Sequence, residues 1–191
     1  NSGALRDNIY SWPAKSTCSV DNTVIDANEE PGFDITNSSV LGKGLDALEY
    51  ILFSDSLEVT TGCPAEDEWA DKTDPERREY RAVYAEAAAE ALSDRADDLV
   101  EAWTGDDGFQ QELANPGTGN SRFETELEAV NAVSDALFFI EKQVKDIKLA
   151  VPLCGNKLDC PDNGTVTPEE VENPFSERSK AHIRENIIAF Q

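Results

Sequence analysis

Residues 74 to 104 restrict the fold of this 191-residue chain more than any other stretch. The run reads DPERREYRAVYAEAAAEALSDRADDLVEAWT, in which Asp74 can cap a helix, Pro75 suits the first helical position and Gly105 supplies the stop. The spacing predicts one helix of about thirty residues, roughly 45 Å long. Tyr80, Tyr84, Ala87, Ala91, Leu92, Leu99 and Trp103 mark its expected buried stripe, an aromatic and small-residue face better suited to a core than to a cofactor.

Three further helices are expected. Leu41, Leu45, Leu48 and Leu52 recur at helical spacing from about Val40 to Phe53, with Ala47 and Ile51 widening the apolar face and TNSS ahead offering N-cap side chains. A third starts at Ser121 with Glu124 three residues on, a capping box, and carries Leu127, Val130, Leu137, Val144 and Ile147 until Pro152 ends it. A fourth begins near Ser176 and reaches the last residue. Residues 54–73 and 105–120, rich in Gly, Pro, Thr, Asn and Asp, punctuate these helices. The segment before Val40 has no helical or strand period, and strand signals are weak throughout.

The chain carries 39 Asp plus Glu against 16 Lys plus Arg, a net charge of −23. No segment is basic enough to follow a phosphate backbone, which argues against nucleic acid as a partner. Such acidity suits attraction of cations, or solubility where salt screens the mutual repulsion. No run of apolar residues is long enough to span a bilayer, so any membrane anchor would lie outside this segment. The sequence contains no Met, and residue 1 is expected to be a processed or trimmed end.

Cys18, Cys63, Cys154 and Cys160 have no neighbouring histidine to suggest a zinc knuckle. Of three possible connectivities, Cys18 with Cys63 and Cys154 with Cys160 is favoured, because CGNKLDC closes as a short loop. The two closures would be worth roughly 4 and 2 kcal/mol on the chain-entropy model. Paired cysteines imply an oxidising compartment, a periplasm or cell exterior; four reduced, buried thiols are the alternative.

Two patterns could hold a cation. In GKGLDALEYILF, Asp46 and Glu49 stand three apart, so on a helix they share a face about 5–6 Å apart. An acidic stripe facing water is the bland reading of the same residues. In DCPDNGTVTPEE, Asp159, Asn163 and Glu170 take positions 1, 5 and 12 of a calcium loop, but Pro161 at position 3 offers no side-chain oxygen. Thr167, Pro168 and Glu170 read equally well as the start of a short helix. Two carboxylates bind weakly alone, so further ligands would have to come from elsewhere. The one histidine, His182, sits among charged residues and reads as a surface group; there is no H-E-x-x-H and no G-x-S-x-G.

GKGLDALEYILF resembles the signature of the imelysin-like family of bacterial periplasmic or surface proteins, G-x-H-x-x-E followed by an aromatic-aliphatic run. Here it reads Gly44, Leu45, Asp46, Ala47, Leu48, Glu49 and then YILF. KDIKLAVPL and the later ENPFSERSKAHIRENIIAF, with Glu172, Phe175, Ser176 and Ser179, are similar to a second family element, and FQQELANPGTG fits as well. The resemblance covers the chain from about Arg6 onward. It implies an all-α fold, a bundle of long antiparallel helices with irregular loops forming one domain over residues 1–191. It also implies a metal ion (iron, calcium or zinc) or a small ligand bound at Asp46, Glu49 and Glu172, and a link to iron uptake. Family members are longer, so the rest of the same protein or a second chain is an implied partner. Asp46 replaces the signature histidine, which removes a nitrogen donor from any zinc site. A binding protein is therefore expected rather than an enzyme; if it is an enzyme, the resemblance implies a metallopeptidase, and a surface interaction module is the further alternative.

Overall fold

A computed structural model describes residues 5–119, 121–154 and 166–191. Every regular element among them is helical, so the fold is all-α. The chain divides into two compact units, Asn1–Asp97 and Asp98–Gln191.

The first unit contains α1 (Leu5–Ile9), α2 (Thr17–Glu29), α3 (Leu45–Phe53), α4 (Ala65–Ala70) and the start of α5 (Asp74–Thr104). Helix α2 corrects the expectation of irregular chain before Val40. Ser16 caps it by accepting from Ser19 N at 3.1 Å, and Val20, Val24 and Ile25 are buried. Thr17, Val20, Thr23, Val24 and Ile25 are β-branched and weaken the local helix signal. Packing compensates: α2 lies against α3, α4 and the 3-10 turn Val40–Gly42. Cys18 of α2 is disulfide-bonded to Cys63, as expected.

The helix expected from Val40 to Phe53 is interrupted. Ser39 caps a 3-10 turn at Val40–Gly42, accepting from Leu41 N at 3.2 Å, and α3 starts only after Gly44. Its buried residues are Ala47, Glu49, Tyr50 and Ile51, while Leu45 and Leu52 face solvent. The expected Ala47 and Ile51 are thus buried, while the face is turned from the leucines toward Glu49 and Tyr50. Helix α5 spans 31 residues as expected, but its buried stripe is narrower: Arg81, Tyr84 and Ala88 are buried, whereas Leu99 and Trp103 are exposed. Tyr84, fully buried, donates its hydroxyl to Gly42 O at 2.8 Å and so ties α5 to the 3-10 turn.

The second unit contains α6 (Phe109–Ala114), α7 (Glu126–Leu137), a π-helical segment (Ile140–Ala150), α8 (Val151–Cys154) and α9 (Ser179–Phe190). Thr125, not Ser121, caps α7, accepting from Glu128 N at 3.3 Å. Ser121 instead accepts from Phe123 N and donates to Glu112 O at 3.0 Å. Phe109 stacks edge-on against Trp103 at 5.0 Å and lies 5.9 Å from Phe123. Pro152 does not end the helical run, which passes from the π-helical segment into α8 through it. Of the expected third-helix stripe only Val144 is buried, while Leu127, Val130 and Leu137 are exposed. Helix α9 starts at Ser179 rather than Ser176 and packs on the π-helical segment.

The Cys18–Cys63 bridge closes a separation of 45 residues. Replacing both cysteines by serine should lower the urea-unfolding free energy by about 4 kcal/mol. A loss far below that would show that the unfolded chain is already compact.

Candidate functional site

The candidate site grows from one glycine. Gly44 has φ +89° and ψ −168°, a region closed to side chains, and a Cβ there would stand 2.8 Å from Ile9 O. The end of α1 therefore lies directly against the start of α3. The chain then turns through Tyr10, Ser11 and the buried Trp12 and crosses the first turn of α3, where Asp46 projects.

Asp46 Oδ2 accepts from Ser11 N and Trp12 N, both at 3.0 Å, and from Ser11 Oγ at 3.3 Å. Its other oxygen, Oδ1, is buried and has no hydrogen-bond partner among the described residues. Glu49, buried as well, follows one turn later. Burial pushes the Asp46 carboxyl above its ordinary 3.8, and the negative charge of Glu49 adds to the rise; the Ser11 and Trp12 donors oppose it. Lys43, just ahead, is buried and donates to Thr36 O at 2.7 Å. Burial first, and the like charge of Arg95 second, lower its pKa.

A second buried carboxylate lies behind α3. Asp21 accepts from the Tyr50 hydroxyl at 3.0 Å and from Thr60 N at 2.8 Å. Burial raises its pKa against those hydrogen bonds and the charge of Arg81. Burial and the Asp21 charge push the Tyr50 hydroxyl up to about 12. The Arg81 guanidinium lies 5.8 Å from the centre of the Tyr50 ring, and its Nη2 has no hydrogen-bond partner among the described residues. Sequence reading missed Ser11, Asp21 and Arg81. Asp21 and Arg81 lie inside helices whose patterns single out only apolar residues, and no local signal marks Ser11.

Glu172 belongs to the second unit and has a different partner from the one expected. Lys148 Nζ donates to its Oε1 at 2.7 Å and to Asn186 Oδ1 at 2.8 Å, with Lys148 and Glu172 both buried. His182, half-exposed, stands 4.0 Å from Glu172 Oε2. A carboxylate already neutralised by a buried ammonium is a poor further ligand. Glu170 ends an exposed 3-10 turn, Pro168–Glu170, whereas Asp159, Asn163 and the Cys154–Cys160 pairing lie outside the described residues. Within neither unit do three His, Cys, Asp or Glu side chains among the described residues meet as metal ligands.

The described residues form an all-α chain in which Asp46 and Glu49 share one helix that opens after Gly44. The sequence model of the imelysin family matches residues 4–191, and the chain belongs to that family. No curated protein and no solved structure matches it.

Because burial raises the Asp46 pKa, the folded chain keeps that proton to higher pH than the unfolded chain does. Its contribution to stability is full below the ordinary 3.8 and is lost as pH rises through the raised folded value. Asp46→Asn cannot ionise, so in the presence of chelator its stability relative to the unsubstituted protein should climb across that interval. Urea midpoints at stepped pH check this; two parallel curves would mean that Asp46 titrates alike in both states.

Proposed function

We propose that this imelysin-family chain is a cation-binding protein of a periplasm or cell exterior that serves iron acquisition, with Asp46 and Glu49 as its ligands. The observation that supports the reading is Asp46 Oδ1, a buried carboxylate oxygen with no hydrogen-bond partner among the described residues, beside the buried carboxylate of Glu49. Leaving such an atom unsatisfied is costly, and two like charges in one place disfavour joint ionisation. A bound cation relieves both. The donors are oxygen only, which fits a hard cation such as calcium or ferric iron better than zinc, with water and backbone oxygens filling the remaining positions. Glu172 is left out of the ligand set because Lys148 already neutralises it. The Cys18–Cys63 disulfide favours an oxidising compartment.

A second reading has its own observation. The hydrogen bonds from Ser11 N and Trp12 N to Asp46 Oδ2 are what a purely structural tie between segments would need, and the chain would then be a non-catalytic interaction module.

Elemental analysis of protein purified without chelator, followed by thermal melts with ferric iron, calcium or zinc added, separates the two. At a cation concentration about one hundred times its Kd, the cation-binding reading expects about 2.7 kcal/mol of stabilisation. Asp46→Asn combined with Glu49→Gln should abolish that response and leave the metal-free protein at least as stable. A double variant that still responds removes the pair from the site.

The family's peptidase chemistry is not expected here. A zinc site that has lost its imidazole and gained a carboxylate holds a less acidic water. Unfolded insulin should therefore stay intact over a mass-spectrometric time course, with or without zinc. Chelator-sensitive cleavage would promote the metallopeptidase instead.

A further inference from the structure

A small cavity beside Gly44, in the first unit, reverses the charge of the rest of the chain. The sequence holds 39 Asp and Glu against 16 Lys and Arg, yet this cavity is lined by Lys43 and Arg95 and by no acid. Asn8 of α1 and Thr36 complete its polar wall, and Ala88 and Ala91 of α5 form an apolar one. Gly44 lets α1 approach so closely that a Cβ there would stand 3.1 Å from Asn8 O. The room inside is about 10 Å³, close to what a single water-sized sphere needs.

Lys43 is only 6 % exposed. Its ammonium carries three N–H donors, and Thr36 O, at 2.7 Å, is its one hydrogen-bond acceptor among the described residues. Buried donors without acceptors are costly. The like charge of Arg95 acts on Lys43 more strongly than the opposite charge of Asp34 does. Asp34 is exposed, accepts from Thr36 N at 2.9 Å and Thr36 Oγ1 at 2.7 Å, and does not line the cavity. We propose that this cavity binds a chloride ion between Lys43 Nζ and the Arg95 guanidinium, with the alanines of α5 shielding it from bulk water. A water molecule fits the same room but leaves both positive charges uncompensated, whereas a monatomic anion offsets them together. Phosphate and sulfate carry four oxygens each and exceed a space for one sphere. Clefts lined by charge of one sign, with low-dielectric walls, concentrate the opposite ion. The bound ion ties α1 and the residues flanking Gly44 to α5, so chloride braces the first unit.

The test uses the full chain with chelator present, so that no cation at Asp46 contributes. Sodium is held constant while chloride replaces gluconate, which fixes the ionic strength and with it the screening of the surface acids. The melting temperature should rise with chloride and keep rising only with its logarithm, as binding to the folded state alone requires. Lys43→Met keeps most of the buried stem, removes the charge and should abolish the response. Arg95→Gln lies at a partly exposed position, should fold normally, and should shift the chloride concentration needed at least about tenfold upward. A crystal soaked in sodium bromide should show an anomalous peak between Lys43 and Arg95. Equal melting in chloride and gluconate would overturn the proposal, as would a response that Arg95→Gln leaves unchanged or a bromide-soaked crystal with no peak in the cavity. An equal response to phosphate that is lost in the same variants would overturn the choice of a monatomic ion and assign the cavity to an oxyanion.

Discussion

Two backbone N–H groups aimed at one carboxylate oxygen organise the first unit. Ser11 and Trp12 cross the start of α3 because Asp46 accepts from both, and they come that close because Gly44 has no side chain to hold Ile9 away. Trp12, placed by this contact, is among the most deeply buried side chains of the chain. The same device recurs at Asp21, which accepts from Thr60 N and the Tyr50 hydroxyl. A chain with so many acids puts most of them in water. In the first unit Asp46 and Asp21 are held by backbone N–H groups and hydroxyls, donors that bring no competing positive charge.

The second unit handles charge differently. Lys148 and Glu172 neutralise each other inside it, and Asn186 takes a further proton of the ammonium. Removing either partner alone would strand a buried charge, which is costlier than replacing both together. The contrast bears on the ligand question: Glu172 already has its cation, whereas one oxygen of Asp46 has no partner among the described residues.

How much of this was legible in the sequence varies by element. The long helix was, because Pro75 and Gly105 bracket an unbroken run of good helix formers. So was the Cys18–Cys63 pair, and so was the nearness of Asp46 and Glu49, which helical spacing alone dictates. Helix α2 was not, since its β-branched residues carry little local propensity and their burial is a tertiary fact. The buried face of α3 was legible only in part: Ala47 and Ile51 are buried as the spacing suggests, but Glu49 and Tyr50 also turn inward and Leu45 and Leu52 outward. The partners of Asp46 lie 34 and 35 residues away in a turn with no pattern of its own, so no local reading could supply them. The same holds for Glu172, whose partner Lys148 is 24 residues distant.

The disulfide has a topological consequence for the candidate site. Cys18 and Cys63 close a covalent ring that contains the whole of Gly44 to Glu49. A protease that cuts once between Ser54 and Gly62, beyond the end of α3, would open the ring without releasing a fragment. The nicked molecule would still run as one species on a non-reducing gel and as two after reduction. A chain clipped there keeps both carboxylates tethered to the helices that position them.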